Sequence, residues 1–373
     1  MQLLVFGGNG YIGGECVDHL LEKGNEITLL NRGHWIWDGA VRLKPRIKHV
    51  YCDRYDPQNA ASVELELGEK QFHAVIDFSA TETARVQPFY DVLKKRAKLY
   101  VYISSDSCYE VCDKKREGAS KEEDAVRPAD EKVRDELASK DAYGNGKLCV
   151  EEFLAEEQKK GGLPYVFLRL PDVLGERDTT ERWWKYRIWM EHQKTLGIPV
   201  LVPRFTETLY TSYVDVLDVA SVLQLILTSG ERVFNQTYNV ALKDPMRLID
   251  LLQVIKSASE CDAELKFEEG DFQFPTVHDA PTGALKIGGD FYFPSVTRGP
   301  IDVTKISTEL GWAPPSKAEF ENGRARQIAR FYQEAKQQFP NELTSAAESL
   351  LIDLENRLKP GIKEKFMNEL ASV

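Results

Sequence analysis

Three groups of residues in this chain have types and spacing suited to moving protons and hydride. In Tyr143-Gly144-Asn145-Gly146-Lys147 the tyrosine and the lysine stand four apart, so on a helix they share one face. An ammonium beside a phenol favours the phenolate and lowers the phenol's pKa. Such a tyrosine can trade a proton with a hydroxyl or carbonyl while hydride moves to or from a nicotinamide. The spacing alone recurs by chance, and two glycines inside a helix cost about 1 kcal/mol each. A second group supports it. Ile103-Ser104-Ser105-Asp106-Ser107-Cys108-Tyr109 follows an apolar run that reads as a strand. Ligands bind at the carboxyl edge of open α/β sheets, where the Ser105 hydroxyl can donate to a substrate oxygen. The competing reading is a serine cluster that makes caps and turns.

The third group is Gly7-x-x-Gly10-x-x-Gly13. Glycine at such positions allows a tight turn, close approach of backbone to a pyrophosphate, and tight helix–strand packing. The amides that open the next helix then face the phosphates. The trio carries weight through its context, since an apolar strand precedes it and an amphipathic helix follows. Gly7, Gly8, Asn9, Gly10, Tyr11, Ile12 and Gly13 are therefore candidate cofactor residues. After the second strand a carboxylate would favour NAD(H), but this chain has Asn31-Arg32. Arg32 can pair with a 2′-phosphate, so NADP(H) is expected ahead of NAD(H), with a plain surface arginine as the alternative. Asp53, after the third strand, is a candidate acceptor for the adenine amino group or an ordinary loop aspartate.

These residues need a parallel sheet to hold them. Leu3-Leu4-Val5-Phe6 is a short apolar run, as in a strand buried on both faces. Cys16, Val17, Leu20 and Leu21 recur at helical spacing, and Lys23-Gly24-Asn25 stops that helix. Further strands are expected at Glu26–Leu30, His49–Cys52, Ala74–Phe78, Leu99–Ile103 and Tyr165–Arg169. Their alternation with helices predicts an α/β fold, a Rossmann-type doubly wound parallel sheet. The expected division is a dinucleotide-binding domain over 1–170, with a return segment at about 205–245, and a smaller α+β substrate-binding domain over 171–340. That second part is expected to shape the substrate cleft. Residues 110–140 are highly charged and read as a solvated insertion with some helix. Trp183, Trp184 and Trp189 are expected on an amphipathic helix. Trp183, Trp184, Phe272, Phe274 and Tyr292 serve either packing or recognition. From 341 to 373 a helical extension carries Ala346, Leu350, Leu351 and Leu354 as an apolar stripe. That stripe packs on the body of the chain or on a second copy of it, as a homodimer.

The 373 residues suffice for a large core, and the formal net charge is −11. A polyanion would be repelled on average, which argues against a nucleic-acid partner. No apolar run approaches the ~20 residues of a membrane helix, and no signal peptide is apparent, so a cytoplasmic protein with no membrane partner is expected. Cys16, Cys52, Cys108, Cys112, Cys149 and Cys261 are scattered and read as reduced thiols. No bound metal is expected, since no second Cys/His pair completes a zinc site around Cys108 and Cys112.

Taken together these features resemble the extended short-chain dehydrogenase/reductase family, which includes nucleotide-sugar epimerases and dehydratases. The resemblance covers about residues 1–335. The Gly7–Gly13 segment is similar to the family's glycine motif, with Phe6 where threonine is common. Ser105, Tyr143 and Lys147 match its catalytic triad. Leu168-Arg169-Leu170-Pro171-Asp172-Val173-Leu174-Gly175 is similar to the segment that passes the nicotinamide. Ser212–Ala220, Tyr238-Asn239-Val240 and Leu310-Gly311-Trp312 match further segments in the right order. The resemblance implies Tyr143 as acid and base, Lys147 as its modulator and a ribose ligand, and Ser105 as the group that polarises the substrate oxygen. Asp106 would assist a second proton transfer in an epimerisation. It also implies Phe78, Ser79, Ala80, Ser104, Tyr143, Lys147, Pro171 and Val173 as cofactor neighbours.

Two departures matter. Asp106-Ser107 stands where dehydratases of the family have Asp-Glu, which argues against 4,6-dehydration. Leu209-Tyr210-Thr211 lacks the arginine of UDP-sugar epimerases, leaving Arg204 and Arg298 as candidate anion ligands. The expectation is an NAD(P)(H)-dependent oxidoreductase that acts on a carbonyl or secondary alcohol of a small molecule, most simply as a reductase. A nucleotide-sugar epimerase is the alternative within the family. Val75-Ile76-Asp77-Phe78 is similar to the plant stem-loop RNA-binding branch, which makes a non-catalytic nucleotide- or RNA-binding protein the alternative from another class.

Overall fold

The computed structural model describes residues 1–113, 117–269 and 295–371. Seven strands form one parallel sheet: β1 Gln2–Phe6, β2 Glu26–Asn31, β3 Lys48–Tyr51, β4 Ala74–Asp77, β5 Tyr100–Ser105, β6 Tyr165–Leu170 and β7 Gln236–Asn239. Their order is β7-β6-β5-β4-β1-β2-β3. The order reverses at β1, where the chain first runs outward through β2 and β3 and then returns through β4. Ligands of open α/β sheets bind outside the carboxyl ends at such a switch point. The apolar runs that read as strands are these strands. Leu3, Leu4, Val5 and Phe6 have no exposed surface, as a strand covered on both faces requires.

Helix α1 (Tyr11–Glu22) follows the glycine turn. Helices α2 (Asn59–Leu67), α3 (Gln87–Lys94), α4 (Glu131–Lys140) and α5 (Ala142–Lys159) come next. Phe6, Val50, Val63, Phe89, Leu93, Tyr102, Val150 and Leu154 make one core between the sheet and α2, α3 and α5. After α6 (Arg182–Glu191), helix α7 (Val216–Thr228) packs against α1. The charged stretch at 110–140 is mixed: α4 buries nothing, whereas Val111, Cys112, Ser120 and Glu122 are buried.

Two compact units divide the chain. One holds Met1–Val173, Val216–Ala241 and Ile301–Pro314, and therefore the whole sheet. The other holds Leu174–Asp215, Leu242–Pro300 and Pro315–Val373. Within the second, the strands Val200–Pro203 and Leu265–Glu268 pair in parallel. Its further helices are α8 (Leu248–Ala258), α9 (Arg326–Gln338), α10 (Pro340–Asp353) and α11 (Ile362–Ala371). The tryptophan helix α6 departs from expectation. Residues 183–190 are all buried, so it is not amphipathic. Its two buried cations are neutralised in place, Lys185 by Asp353 at 2.8 Å and Arg187 by Glu191 at 3.2 Å. Trp183 and Trp184 pack; Phe272, Phe274 and Tyr292 lie outside the described residues. Among the described residues no helix is long and apolar enough to cross a membrane.

Candidate active site

The site builds outward from the carboxyl end of β1. Gly7 has φ +74°, a conformation that L side chains rarely adopt. A methyl group there would also meet Ser79 Cβ at 2.6 Å. Val5, Val17 and Leu29 close around Gly8, and a methyl at Gly13 would run into the Gly7 carbonyl oxygen. Gly10 differs, since its nearest neighbour across the turn would be 3.8 Å away, so space is left over it. No side chain caps the start of α1. Asn9 donates its side-chain amide to the carbonyl of His34, which fastens the glycine turn to the loop after β2.

Beside this turn lies a buried charged network that the sequence reading missed. Arg54 pairs with Asp77 at 2.6 Å and donates to Ser79 Oγ at 3.1 Å and to the Arg85 carbonyl at 2.8 Å. Its guanidinium carbon sits 4.3 Å from the Phe6 ring centroid. Tyr100 donates to the other Asp77 oxygen at 2.6 Å, and the amides of Ser79 and Ala80 donate to the first. Burial alone would raise the Asp77 pKa. The Arg54 charge and these hydrogen bonds outweigh it and hold the carboxyl below its ordinary value. The loop after β3 is thereby drawn across the end of β1 to β4. The legible signal was an aspartate closing the buried run Ala74-Val75-Ile76, because a buried carboxylate requires a partner.

The tyrosine–lysine pair lies on α5, as its spacing predicts. The two helix glycines have a structural reason. A methyl at Gly144 would overlap the Ser107 carbonyl, and one at Gly146 the Thr81 carbonyl. Glycine therefore lets the first turns of α5 press against the loops that leave β5 and β4. Asp141 accepts from the Gly144 amide at 2.7 Å and starts the helix. Lys147 is 3% exposed and donates to the Ile103 carbonyl at 2.8 Å. Its ammonium lies 4.8 Å from the Tyr102 ring centroid and 5.7 Å from that of Tyr143. Burial pushes its pKa down to about 8, with Asp77 and Glu151 pulling the other way. Tyr143 itself is half-buried.

Ser105 ends β5, two residues past the carbonyl that holds Lys147. Its hydroxyl accepts from the Ser107 amide and donates to Asp106, each at 3.2 Å. Ser105, Asp106, Tyr143 and Lys147 thus gather at one edge with the glycine turn, as do Phe78, Ser79 and Ala80 after β4 and Pro171 and Val173 after β6. Ser104 is engaged elsewhere. It donates to Glu151, which in turn pairs with Arg169 at 2.6 Å inside the body of the unit.

The candidates for the adenosine end are arranged differently from one another. Asn31 is buried, and its side-chain oxygen is taken by the Gly33 amide at 2.7 Å and His49 at 2.8 Å. The Asp53 carboxylate accepts from the Tyr55 amide at 3.0 Å and shapes its own turn. Arg32 is exposed and stacks on Tyr55. In the other unit Arg204 is paired with Glu207 and Glu269, and Arg298 is not a free cation either.

The model of the NAD dependent epimerase/dehydratase family matches residues 3–241. The chain belongs to that family. The match bears out the resemblance read from the glycine turn and the Ser105/Tyr143/Lys147 set. A UDP-glucose 4-epimerase of Streptococcus mutans is 27% identical over 198 residues, 48% of this chain and 53% of that protein. The chain thus spans about half the length of the curated relative it matches. Among solved structures, a UDP-glucose 4-epimerase from Thermotoga maritima with UDP-glucose superimposes with a TM-score of 0.66 at 18% identity, covering 90% of this chain and 99% of that one. A dTDP-glucose 4,6-dehydratase from Bacillus anthracis in complex with NAD gives 0.65 at 16%, covering 92% and 99%. At these identities the likeness is one of fold.

Proposed function

We propose that this protein is an NAD(P)(H)-dependent oxidoreductase that interconverts a secondary alcohol and a carbonyl on a small molecule, with net reduction as its direction. The observation that carries the reading is the gathering of Tyr143, Lys147 and Ser105 beside the glycine turn, at the switch point of the sheet. The turn fits a diphosphate. Gly7 and Gly13 leave no room for side chains, the space over Gly10 is open, and α1 starts without a side-chain cap. Gly7 to Gly13 would wrap that group. Asn31, Arg32 and Asp53 would face its adenosine side, while Ser79, Ala80, Pro171 and Val173 would lie along the nicotinamide side. When bound, the dinucleotide supplies or accepts hydride.

The chain manages the proton. Tyr143 gives its hydroxyl proton to the substrate oxygen as hydride reaches the carbon, and takes it back in the reverse direction. Lys147, buried and held by the Ile103 carbonyl, keeps a positive charge near that phenol below about pH 8. Ser105 donates to the same oxygen. Tyr143→Phe removes the proton and leaves the ring. The expected result is a fall in kcat of about 10²–10⁴-fold, the usual worth of a positioned acid or base. NAD(P)H binding, followed by nucleotide fluorescence, should stay near wild type. Turnover near wild type would reject the assignment.

The family and the 27% identical relative favour a second reading, a nucleotide-sugar epimerase that returns its hydride to the same substrate. The missing arginine at Leu209-Tyr210-Thr211 and the exposed Arg32 speak for the reductase. The two differ in stoichiometry. A reductase oxidises one NAD(P)H per carbonyl consumed, and an epimerase changes the sugar with no net change at 340 nm.

A further inference from the structure

Lys147 is a buried charge whose compensation is incomplete. An ammonium has three N–H donors, and this one has a single hydrogen-bond acceptor, the Ile103 carbonyl at 2.8 Å. Among the described residues no carboxylate pairs with it. Asp77 is already neutralised by Arg54 at 2.6 Å, and Glu151 by Arg169 at 2.6 Å. Burial pushes the Cys108 thiol up, so it stays neutral. A buried charge without a partner is costly, and the groups left to face it are aromatic. The ammonium lies over the Tyr102 ring, 4.8 Å from its centroid, and 5.7 Å from that of Tyr143. Tyr143 is farther away and half-buried, whereas Tyr102 has no exposed surface. A ring face attracts a cation within about 6 Å, and most strongly where both are desolvated.

The Tyr102 ring is fixed from several sides. Its hydroxyl donates to the Ala80 carbonyl at 2.9 Å, and the Ala80 amide donates to Asp77 at 3.1 Å. Phe167 of β6 meets the ring edge-on, with centroids 6.3 Å apart. Alternation along β5 puts Tyr100 on the same face, where it donates to the other Asp77 oxygen. The next residue, Ile103, supplies the carbonyl that accepts from Lys147. One strand therefore presents a ring and a carbonyl to the same ammonium.

We propose that Tyr102 is a positioning residue of the active site, whose ring holds the Lys147 ammonium in place and keeps it charged beside Tyr143. The consequence for catalysis rests on the acid–base reading of Tyr143; the ring–lysine contact stands without it. Tyr102 touches no reacting atom. With the ring in place, Lys147 keeps its proton up to about pH 8 despite its burial. Asp77, Cys108 and Glu151 also favour the charged lysine, and Arg54 opposes it. With the ring weakened, the lysine gives up its proton at lower pH, and the phenol loses the neighbouring charge that favours phenolate.

Replacing Tyr102 by a small residue would open a cavity, so the test alters the ring in place. Full-length protein is made with phenylalanine, 4-fluorophenylalanine, 3,5-difluorophenylalanine or pentafluorophenylalanine at position 102. Fluorine drains the ring face of negative charge with little change of shape. Urea unfolding of each is followed from pH 6 to 10, with and without Lys147→Met, and the difference isolates the lysine. Its folded pKa is depressed, so the lysine's cost is full below that pKa and is relieved as pH rises through it. In wild type the inflection is expected near pH 8. Tyr102→Phe keeps the ring and should keep the inflection. Fluorination should lower it stepwise, by about one pH unit for the pentafluoro ring, a tenfold change in the lysine's acid constant. Where turnover is followed, the alkaline limb of kcat/KM should move with it. A merely structural ring would change stability equally at every pH, and an inflection that does not move with fluorination overturns the proposal. An inflection that moves while Tyr143→Phe turns over near wild type keeps the ring–lysine contact and overturns the acid–base reading instead.

Discussion

At the scale of single residues, the site is a matter of which charges the interior tolerates. Lys147 is buried with one carbonyl to accept from it, and desolvation lowers its pKa to about 8. The sign of the pH effect follows. Below pH 8 the folded protein carries the ammonium and pays its burial; as pH rises from 8 towards the ordinary lysine value of about 10.4 the folded form is neutral while the unfolded form still binds the proton. The lysine therefore destabilises the fold most at neutral and acidic pH, and that strain is relieved as pH rises through 8. Activity runs the other way. In the proposed mechanism reduction needs Lys147 charged and Tyr143 protonated, so kcat/KM for reduction should fall as pH rises through about 8. Lys147→Met should remain active only weakly, lose that alkaline limb, and melt higher at pH 7 than wild type if packing is kept. A profile whose alkaline limb is unchanged in Lys147→Met would remove lysine from the mechanism. Arg54 and Asp77 show the opposite outcome, two buried charges that neutralise each other. Neither stood out as a pair in the sequence, because their 23-residue separation carries no periodic signal, and only the fold brings them within 2.6 Å.

At the scale of elements, strands were the most legible part. Buried parallel strands read as short apolar runs, and β1 to β6 lie where those runs stand, each differing from its expected bounds by a residue or two at its ends, where pairing rather than side-chain type decides. The order of the strands is not encoded locally, and the return strand β7 was visible only through its resemblance to a family segment. The tryptophan helix α6 differs from expectation because Lys185 and Arg187 imitate a solvated face, while Arg187 is neutralised by Glu191 one turn on and Lys185 by the distant Asp353. Helix α5 teaches the converse. Gly144 and Gly146 lower helix propensity by about 1 kcal/mol each, so replacing them with alanine would ordinarily stabilise a helix. Here each added methyl would overlap a backbone carbonyl, of Ser107 or of Thr81, and backbone cannot rotate away as a side chain can. Gly146→Ala should therefore destabilise by about 1–3 kcal/mol, as overpacking does. It should also cost activity beyond what the lowered stability explains, since α5 carries both Tyr143 and Lys147. Thermal melts with steady-state kinetics below the transition test this. A melting point at or above wild type would mean that α5 does not rest on those carbonyls.

At the scale of the whole molecule, the two units carry different burdens. Every candidate for holding the dinucleotide lies in the unit that contains the sheet, and the carboxyl-terminal helices belong to the other. The apolar stripe on α10 was open to two fates, and within its own unit it is covered: Ala346, Leu350, Leu351 and Leu354 are all buried, with α10 against α6 and α9. The stripe thus needs no second copy of the chain. Helix α11 adds Phe366, fully buried and edge-on to His192 at 5.2 Å, and Glu369, which hydrogen-bonds His192 Nδ1 at 2.8 Å. Ending the chain after Arg357 removes both. Loss of a core phenylalanine alone typically costs about 3–5 kcal/mol, a large part of the 5–15 kcal/mol that holds an ordinary domain together. The truncated protein should show a separate, lower-temperature calorimetric transition for its second unit and keep NADPH affinity within a factor of about two, less than 0.5 kcal/mol. Its mass by light scattering should equal that of the full chain less the deleted residues, copy for copy, because the helix packs within its own unit. A change in the number of copies would assign α11 to an interface, and loss of NADPH binding would mean that the tail supports the sheet unit after all.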